Sequence, residues 1–205
     1  DLVVATSTDD SDDPLVAALD ATGLSYVRGS LNNVLSRFNL ATHDMDDEQI
    51  VVRATADNPV PDADFIRELV DFMESKHADY ATTDSPADGL PYGLSAEVMT
   101  VGVLREAAAK ATDPFDLEHV TPWIRRHCQI ATIDHKWLQC TDHSFLRCTI
   151  DTFDDYLRVN RAFTHLGSDS ILATWRNVVD SLSNPQEAPS FRIPYRLVNG
   201  ELESC

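Results

Sequence analysis

Two aspartates, far apart in the chain, each follow an apolar run and carry the oxygen chemistry that a divalent cation needs. Asp57 comes shortly after the β-branched run at residues 50–55, and Asp151 directly follows the run at residues 146–150. Such runs are typical of buried parallel strands, and open α/β sheets bind ligands just past the carboxyl ends of their strands. Mg²⁺ usually takes one or two carboxylates together with phosphate oxygens and water. The pair therefore predicts a Mg²⁺–nucleotide site.

Each aspartate also has a simpler interpretation. Asp57 precedes Asn58-Pro59, so its side chain is suited to forming a turn. Asp151 stands where a helix begins, so it is suited to capping that helix. The sequence of each segment leaves both interpretations open for each residue.

The elements that must position these aspartates alternate between strands and helices. Strands are predicted at residues 2–6, 25–28, 50–55, 80–82, 94–99, 129–133 and 146–150. Apolar stripes with a helical period predict the intervening helices, including residues 65–73 after Asp57 and a single helix around residues 118–126. Ser30 is predicted to cap the helix that follows it, and Thr152 with Asp155 to form a capping box. This alternation predicts a three-layer α/β domain.

Composition limits the classes of function. The chain has 205 residues and a net charge of −18, from 16 basic and 34 acidic residues. This length suits one domain, which we place at residues 1–183, followed by a proline-rich, irregular tail at residues 184–205. The acidic balance disfavours nucleic acid and anionic membranes as partners. With no run long enough to span a membrane and no signal peptide, the sequence predicts a soluble, cytoplasmic protein.

Six segments occur in order along residues 1–182. They are Val3-Val4-Ala5-Thr6-Ser7, Arg28-Gly29-Ser30 with Val34-Leu35, residues 53–59, Gly93-Leu94-Ser95-Ala96-Glu97-Val98, Glu118-His119-Val120-Thr121-Pro122 and Ile150-Asp151-Thr152. In this order and spacing they resemble the cytidylyltransferases of the spore coat polysaccharide biosynthesis protein F type. Those enzymes are relatives of the acylneuraminate and 3-deoxy-manno-octulosonate cytidylyltransferases.

The resemblance implies a Rossmann-like fold of the kind found in A-type glycosyltransferases, with a mixed, mostly parallel sheet. It implies a Mg²⁺-dependent reaction of CTP with a sugar acid that gives a CMP-sugar and pyrophosphate, for polysaccharide assembly, and it implies a homodimer. Asp57-Asn58-Pro59 matches the family's central strand-end motif, and residues 151–155 match its second metal motif with two conservative departures. Asp57 and Asp151 would then be the Mg²⁺ ligands.

Two features depart from the family pattern. The Gly-Ser-Arg-rich phosphate loop that ends in Lys has no match, and in the family it precedes the strand corresponding to residues 2–6. We therefore expect additional residues before Asp1, including a central first strand whose absence would leave unpaired strand edges. In addition, Ser95 stands where relatives often carry Asp, at a position expected to contact the substrate.

Five further residues are candidates for binding the nucleotide. Arg28, Gly29 and Ser30 lie at a predicted strand-to-helix turn, where glycine permits close approach and a helix start attracts anions. Thr6 and Ser7 lie at the end of the first strand. The alternatives are a turn with a serine cap for the first group and a closed loop for the second.

The acceptor side of the expected reaction has three candidates. Glu97 lies on the polar face of its predicted strand and is suited to bind acceptor hydroxyl groups, and His119 is suited to deprotonate the attacking hydroxyl. Arg125, next to Arg126, is suited to bind an acceptor carboxylate. The alternatives are a helix residue satisfied by backbone for His119 and solvated helix charges for the arginines.

Two other functions are compatible with the same pattern. One is a non-catalytic binding or assembly domain that keeps the fold without the phosphate loop. The other is a glycosyltransferase of the same fold that uses a sugar nucleotide.

Overall fold

A computed structural model describes residues 1–60, 62–83, 89–94, 96–133, 142–167 and 174–183, and the backbone of residues 195–198 and 201–204. The strands are β1 (Val3–Ser7), β2 (Ser25–Gly29), β3 (Ile50–Arg53), β4 (Tyr80–Thr83), β5 (Glu97–Thr100), β6 (Ile130–Ile133), β7 (Tyr195–Val198) and β8 (Glu201–Ser204). The α-helices are α1 (Asp13–Thr22), α2 (Val34–Ala41), α3 (Ala63–Ser75), α4 (Val101–Lys110), α5 (Pro114–His119), α6 (Pro122–His127), α7 (Phe153–Leu166) and α8 (Trp175–Ser183).

The central sheet is mixed. Its strand order is β3-β5-β4-β6, with β5 antiparallel to both β3 and β4 and with β4 parallel to β6. Three of its four strands therefore run in one direction. The parallel pair β1–β2 forms a separate sheet, and β7 pairs antiparallel with β8 inside the tail that was predicted to be irregular.

Helices cover both faces of the central sheet, so three layers form. Side chains alternate between the faces: Ala81 and Val98 lie in one core, whereas Tyr80 and Met99 lie in the other. The first core includes Phe65, Leu69 and Met73 of α3 and Trp175, Val178 and Val179 of α8. The second includes Leu35 of α2, Val103, Leu104 and Ala107 of α4, and Trp123 and Ile124 of α6. The predicted three-layer α/β architecture is confirmed.

Capping residues fix where the main helices begin and end. Gly23 ends α1 in the left-handed conformation, with φ of 69°. The predicted capping box is confirmed, because the Thr152 side chain accepts from the Asp155 backbone and Asp155 accepts from the Thr152 backbone. Asp62 caps α3 with one carboxylate oxygen and accepts from the backbone N–H of Trp175 with the other, at 2.8 Å. Asp62 thus joins α3 to α8.

Two helix predictions are wrong in detail. Ser30 does not cap α2: Asn33 is the N-cap, and the Ser30 hydroxyl instead accepts from the Asn33 backbone at 3.1 Å. The single helix predicted around residues 118–126 is two helices, α5 and α6, because the chain reverses at Val120 before Pro122 starts the second helix.

The strand predicted at residues 146–150 is also wrong. Among the described residues, this stretch makes one isolated bridge, between Arg147 and Tyr92, and no strand. Its backbone donors go to loops: Cys148 donates to Tyr92 and Ile150 donates to Asp57. Asp151 therefore lies at the start of α7 and not at the end of a strand of the sheet.

Among the described residues, β1 has a strand partner only in β2, and β3 only in β5. Val3 and Val52, in these two strands, are partly exposed, at 38% and 39%. The expected additional first strand stays a prediction. Within the described parts of the chain, every helix is too short or too polar to cross a lipid bilayer.

Candidate functional site

Three loops meet beside the carboxyl ends of β3 and β4. The backbone N–H of Ile150 donates to the carbonyl of Asp57 at 2.8 Å. The backbone of Tyr92 donates to Leu146 at 2.9 Å and accepts from Cys148 at 2.7 Å. The loop after β3, the loop before β5 and the segment before α7 are therefore joined by backbone hydrogen bonds, and the loops that carry Asp57 and Asp151 are neighbours.

Gly93 makes this close approach possible. Its φ is +92°, and a Cβ atom there would lie 2.6 Å from the Thr149 backbone nitrogen and 2.9 Å from the Asn58 side-chain oxygen. A side chain has no room at that distance, and L-residues rarely adopt that φ. Glycine is therefore required where the three loops cross.

The structure tests the simpler interpretations of the two aspartates. The turn after β3 is held by Thr55 and Asn58, through a backbone bond of 3.1 Å and a side-chain bond of 2.8 Å, and not by Asp57. The N-cap of α7 is Thr152 and not Asp151. The Asp57 side chain therefore does not form the turn after β3, and Asp151 does not cap α7.

The two carboxylates differ in their partners. Asp57 is exposed, and its carboxylate has no hydrogen-bond or ion-pair partner among the described residues. Asp151 is exposed and pairs with Arg147, whose Nη2 lies 2.7 Å from its Oδ2. Arg147 also lies over the Tyr92 ring, 4.9 Å from its centroid. The sequence reasoning missed Arg147, although its position four residues before Asp151 suits an ion pair.

The Mg²⁺ site predicted at Asp57 and Asp151 stays a prediction. In the described segments, no three His, Cys, Asp or Glu side chains converge on a possible metal position. Two carboxylates, both open to solvent, are nonetheless what Mg²⁺ commonly takes when phosphate oxygens and water complete its coordination. Asp57 and Asp151 are the residues that would hold the ion.

Asp155 fixes the segment that carries Asp151. It is 3% exposed, and its Oδ2 accepts from the Thr152 hydroxyl at 2.9 Å, from the Thr152 backbone at 3.0 Å and from the Asp151 backbone at 3.3 Å. Arg158 pairs with its other oxygen at 2.9 Å. The hydrogen bond from the Thr152 side chain, with those from Arg147 and the backbone, lowers the pKa of Asp155 to about 2.

A second cluster surrounds Glu97 at the start of β5. Its Oε1 accepts from the Tyr80 hydroxyl at 2.5 Å, from the Thr121 hydroxyl at 2.7 Å and from Arg125 Nη2 at 3.1 Å. Its Oε2 accepts from Arg53 Nη1 at 2.5 Å. Glu97 is buried, and both of its oxygens accept hydrogen bonds from protein side chains. The acceptor contact predicted for Glu97 stays untested.

The environment of Glu97 favours its charged form. Burial alone would raise the pKa of this carboxyl, but the Arg53 charge and the hydrogen bonds from Tyr80 and Thr121 lower it below its ordinary value. Burial and the Glu97 charge raise the pKa of Tyr80 well above its ordinary value. Tyr80 therefore remains a hydrogen-bond donor to an ionised Glu97.

His119 is the last residue of α5 and is exposed. Its ring packs against Phe115 at a centroid distance of 4.3 Å, and its carbonyl accepts from the Thr121 backbone at 2.8 Å. Among the described residues no hydrogen bond joins its ring to Asp57 or Asp151, so its catalytic role stays a prediction.

The residues predicted to bind the nucleotide lie together at the carboxyl ends of β1 and β2. Arg28 donates to the Ser7 carbonyl at 2.7 Å, and the Gly29 carbonyl accepts from the Thr8 backbone at 2.8 Å. The hydroxyl groups of Thr6 and Ser7 both donate to Asp12, at 2.7 and 2.6 Å.

These hydrogen bonds join the residues at the carboxyl ends of β1 and β2 to one another and to Asp12. The Ser7 hydroxyl, Thr6 hydroxyl and Ser7 backbone lower the pKa of Asp12 to about 2. The observed bonds are those of a closed loop, which was the simpler interpretation of Thr6 and Ser7. Nucleotide binding by these residues and by Ser30 stays a prediction, and Ser95 lies outside the described residues.

Comparisons with known proteins identify the family. The cytidylyltransferase family profile matches residues 1–171. An uncharacterized protein of Methanocaldococcus jannaschii is 30% identical over 191 residues, which cover 91% of this chain and 74% of that protein. The spore coat polysaccharide biosynthesis protein SpsF of Bacillus subtilis is 33% identical over 127 residues, which cover 62% of this chain and only 51% of SpsF.

Among solved structures, a cytidylyltransferase from Leptospira borgpetersenii serovar Hardjo-bovis superposes with a TM-score of 0.76. The match covers 88% of this chain and 75% of that one, at 22% identity, and it confirms the predicted Rossmann-like fold. The predicted resemblance to SpsF-type proteins and the expectation of a nucleotidyltransferase are confirmed at the level of the family. The chain belongs to the cytidylyltransferase family.

Proposed function

We propose that the protein is a Mg²⁺-dependent cytidylyltransferase that transfers CMP from CTP to a sugar acid or related acceptor, releases pyrophosphate, and serves the synthesis of a surface polysaccharide. The observation that carries this proposal is the hydrogen bond between Ile150 and Asp57. It brings two acidic loops side by side in a chain that matches the cytidylyltransferase family over residues 1–171. The name of the SpsF relative supports the polysaccharide context.

In the proposed reaction a hydroxyl oxygen of the acceptor attacks the α-phosphorus of CTP. The new P–O bond forms as the bond to the β-phosphate oxygen breaks, and that electron pair leaves with pyrophosphate. The work asked of the protein is to hold the reactants in line and to offset negative charge. Asp57 and Asp151 would bind Mg²⁺, which supplies positive charge beside the leaving pyrophosphate.

The attacking hydroxyl must also lose its proton. Glu97 is poorly suited to accept it, because four protein donors already occupy the two oxygens of this buried side chain. His119 is exposed, and its imidazole is suited to general base catalysis. We therefore retain His119 as the proposed base.

The test is an assay of pyrophosphate release with the protein, CTP, Mg²⁺ and a panel of sugar acids. We expect release with at least one acid, and we expect Asp57→Asn and Asp151→Asn each to abolish it. The melting temperature of both variants should stay close to that of the wild type, because neither carboxylate forms the turn or the cap beside it.

Asp154→Asn is the matched control. Asp154 is an exposed residue in the first turn of α7, so this change removes the same charge close to Asp151, and we expect activity to persist. Transfer from a sugar nucleotide without any pyrophosphate release from CTP would instead indicate a glycosyltransferase. Ligand binding without turnover would indicate a non-catalytic domain.

A further inference from the structure

Arg147 contacts one oxygen of the Asp151 carboxylate and two further groups. Its Nη2 lies 2.7 Å from the Oδ2 of Asp151, and its Nε lies 3.4 Å from the Oδ1 of Asp155. Its guanidinium also lies over the Tyr92 ring, 4.9 Å from the centroid. The carboxylate of Asp151, a proposed cation ligand, therefore already has a cationic partner within the chain.

Two ion pairs lie at the start of α7, and they differ in exposure. Arg147 and Asp151 have 43% and 47% of their side chains exposed. Arg158 lies 2.9 Å from Asp155, whose side chain is only 5% exposed. An exposed ion pair contributes little to stability, whereas breaking a pair with a buried member is costly. Arg147 is therefore better placed than Arg158 to exchange its partner.

A guanidinium and a divalent cation compete for the same carboxylate. A cation that approaches Asp151 by itself must either displace Arg147 from the Oδ2 atom or bind beside the positive charge of the arginine. Both arrangements cost free energy, because like charges repel and the arginine already stabilises the carboxylate. We therefore expect Arg147 to weaken the binding of a cation that arrives without phosphate.

Phosphate groups reverse the sign of this effect. A nucleotide triphosphate brings negative charge to a chain whose net charge is already −18, so it needs positive groups around it. The guanidinium of Arg147 carries a planar fork of N–H donors that matches phosphate oxygens. Arg147, once it has given up Asp151, can therefore donate to the phosphates that arrive with the cation.

Arg147 lies in the segment that joins the two acidic loops. Ile150, three residues after Arg147, donates its backbone N–H to the Asp57 carbonyl at 2.8 Å, and three residues span at most about 11 Å. Cys148 donates to the Tyr92 carbonyl at 2.7 Å, and the Tyr92 ring that lies under the guanidinium is exposed. The guanidinium is therefore at the surface and within reach of phosphates bound beside Asp57.

We propose that Arg147 couples the binding of the divalent cation to the binding of phosphate. It competes with the cation for Asp151 when the cation comes alone, and it donates to phosphate oxygens when both are bound. Cation and phosphate then bind more tightly together than either binds alone, and each raises the affinity for the other by the same factor. This inference rests on the proposed function, because it takes Asp151 as a ligand of the cation.

The first measurement is the binding of Mn²⁺ alone, followed by electron paramagnetic resonance. We expect Arg147→Gln to bind the ion about two- to fivefold more tightly than wild type, which is the range that loss of one exposed ion pair implies. Arg147→Lys keeps the charge and should bind Mn²⁺ like wild type. Arg158→Gln is the matched control, because it removes the same charge from a pair that does not include Asp151, and it should also bind like wild type.

The second measurement is the binding of inorganic pyrophosphate and of CMP at a fixed, saturating concentration of Mg²⁺, by calorimetry. We expect Arg147→Gln to bind one or both ligands at least about tenfold more weakly, because charge-assisted hydrogen bonds are the strong ones. Arg147→Lys, which loses the planar fork, should show a smaller loss, and Arg158→Gln should show none. Loss with pyrophosphate would place Arg147 at the leaving group, and loss with CMP would place it at the phosphate that is transferred.

A purely structural role for Arg147 predicts a different pattern. An arginine that only supports the start of α7 would, on substitution, lower the melting temperature and weaken the binding of Mn²⁺ and phosphate together. Weaker or unchanged binding of Mn²⁺ alone in Arg147→Gln would overturn this inference, and so would an unchanged affinity for both pyrophosphate and CMP. Failure of the proposed function would show separately, as the absence of pyrophosphate release from CTP with every acid of the panel.

Discussion

Glu97 and Asp57 are acidic residues at the same edge of one sheet, yet their surroundings are opposite. Glu97 is 7% exposed and accepts from four protein side chains. Asp57 is exposed and has no side-chain partner among the described residues. The carboxylate whose oxygens are all occupied belongs to the fold, and the carboxylate whose oxygens are open is the one available to a ligand.

The comparison explains how one edge serves two purposes. Burying a charge is costly unless partners offset the loss of water, so Glu97 carries its arginines and hydroxyl donors with it. An exposed carboxylate keeps its water and can exchange it for a cation. We therefore expect the fold to depend on Glu97 and the Asp57 carboxylate to remain available to a ligand.

Glu97→Ala is expected to have the largest effect on stability. It leaves Arg53, whose side chain is 19% exposed, without its ion-pair partner, and removal of one member of a buried pair costs about 3–5 kcal/mol. Asp57→Ala should change the free energy of unfolding by no more than about 0.5 kcal/mol. Urea unfolding of both variants checks the difference, and equal losses would remove the contrast between the two residues.

Gly93→Ala tests the close approach of the loop before β5 to Asn58 and Thr149. Gly23→Ala is its control, because both glycines have positive φ but nothing lies within 4 Å of the Cβ position at Gly23. Left-handed backbone in alanine costs about 1–2 kcal/mol, and overpacking at Gly93 should add about 1–3 kcal/mol. Equal shifts of the urea midpoint for the two variants would mean that the loops around Gly93 can move apart to accommodate a methyl group.

Thr152→Ala is expected to have a smaller effect. It removes the hydroxyl that caps α7, and loss of such a cap typically costs about 1 kcal/mol. The cost should appear as a lower melting temperature. Thr164→Ala is the control: it removes, from the same helix, a hydroxyl that only donates to the Asn160 carbonyl, and it should cost less. A larger loss from Thr164→Ala would argue against the capping box as the feature that fixes the Asp151 segment.

The smallest expected effect on stability appears only at acidic pH. The pKa of Asp155 is lowered from 3.8 to about 2, chiefly by the hydrogen bond from the Thr152 side chain. Because the folded-state pKa is depressed, the contribution to stability is complete above about pH 4 and is lost as the pH falls through about 2. Unfolding measured from pH 2 to 6 should show a weaker acid dependence in Asp155→Asn than in wild type, and identical slopes would contradict this assignment.

Sequence reasoning predicted the features that depend on local pattern. The β-branched run before Asp57, the apolar stripe of α3 and the capping box at Thr152 are signalled within short windows, and the structure confirms each. The pairing of Asp57 and Asp151 in one metal site was predicted from their positions at predicted strand ends and from the family resemblance, and it stays a prediction.

Features that depend on distant partners were not predictable in the same way. Glu97 looked like a residue on a wet strand face because its burial comes from Arg53 and Thr121, which are 44 and 24 residues away. The run at residues 146–150 looked like a strand because it is apolar, but its donors go to the loops at Tyr92 and Asp57. The periodicity of apolar residues along the sequence does not reveal which distant segments are hydrogen-bonded to each other.

The binding of Mn²⁺, followed by electron paramagnetic resonance in the presence of CTP, tests the central claim most directly. We predict one bound ion per chain and a loss of affinity of at least about tenfold in both Asp57→Asn and Asp151→Asn, since even the loss of an outer partner of a metal costs about 10–100-fold. Asp154→Asn should bind like wild type. Wild-type affinity in either Asp57→Asn or Asp151→Asn would contradict the claim that these two carboxylates share one cation.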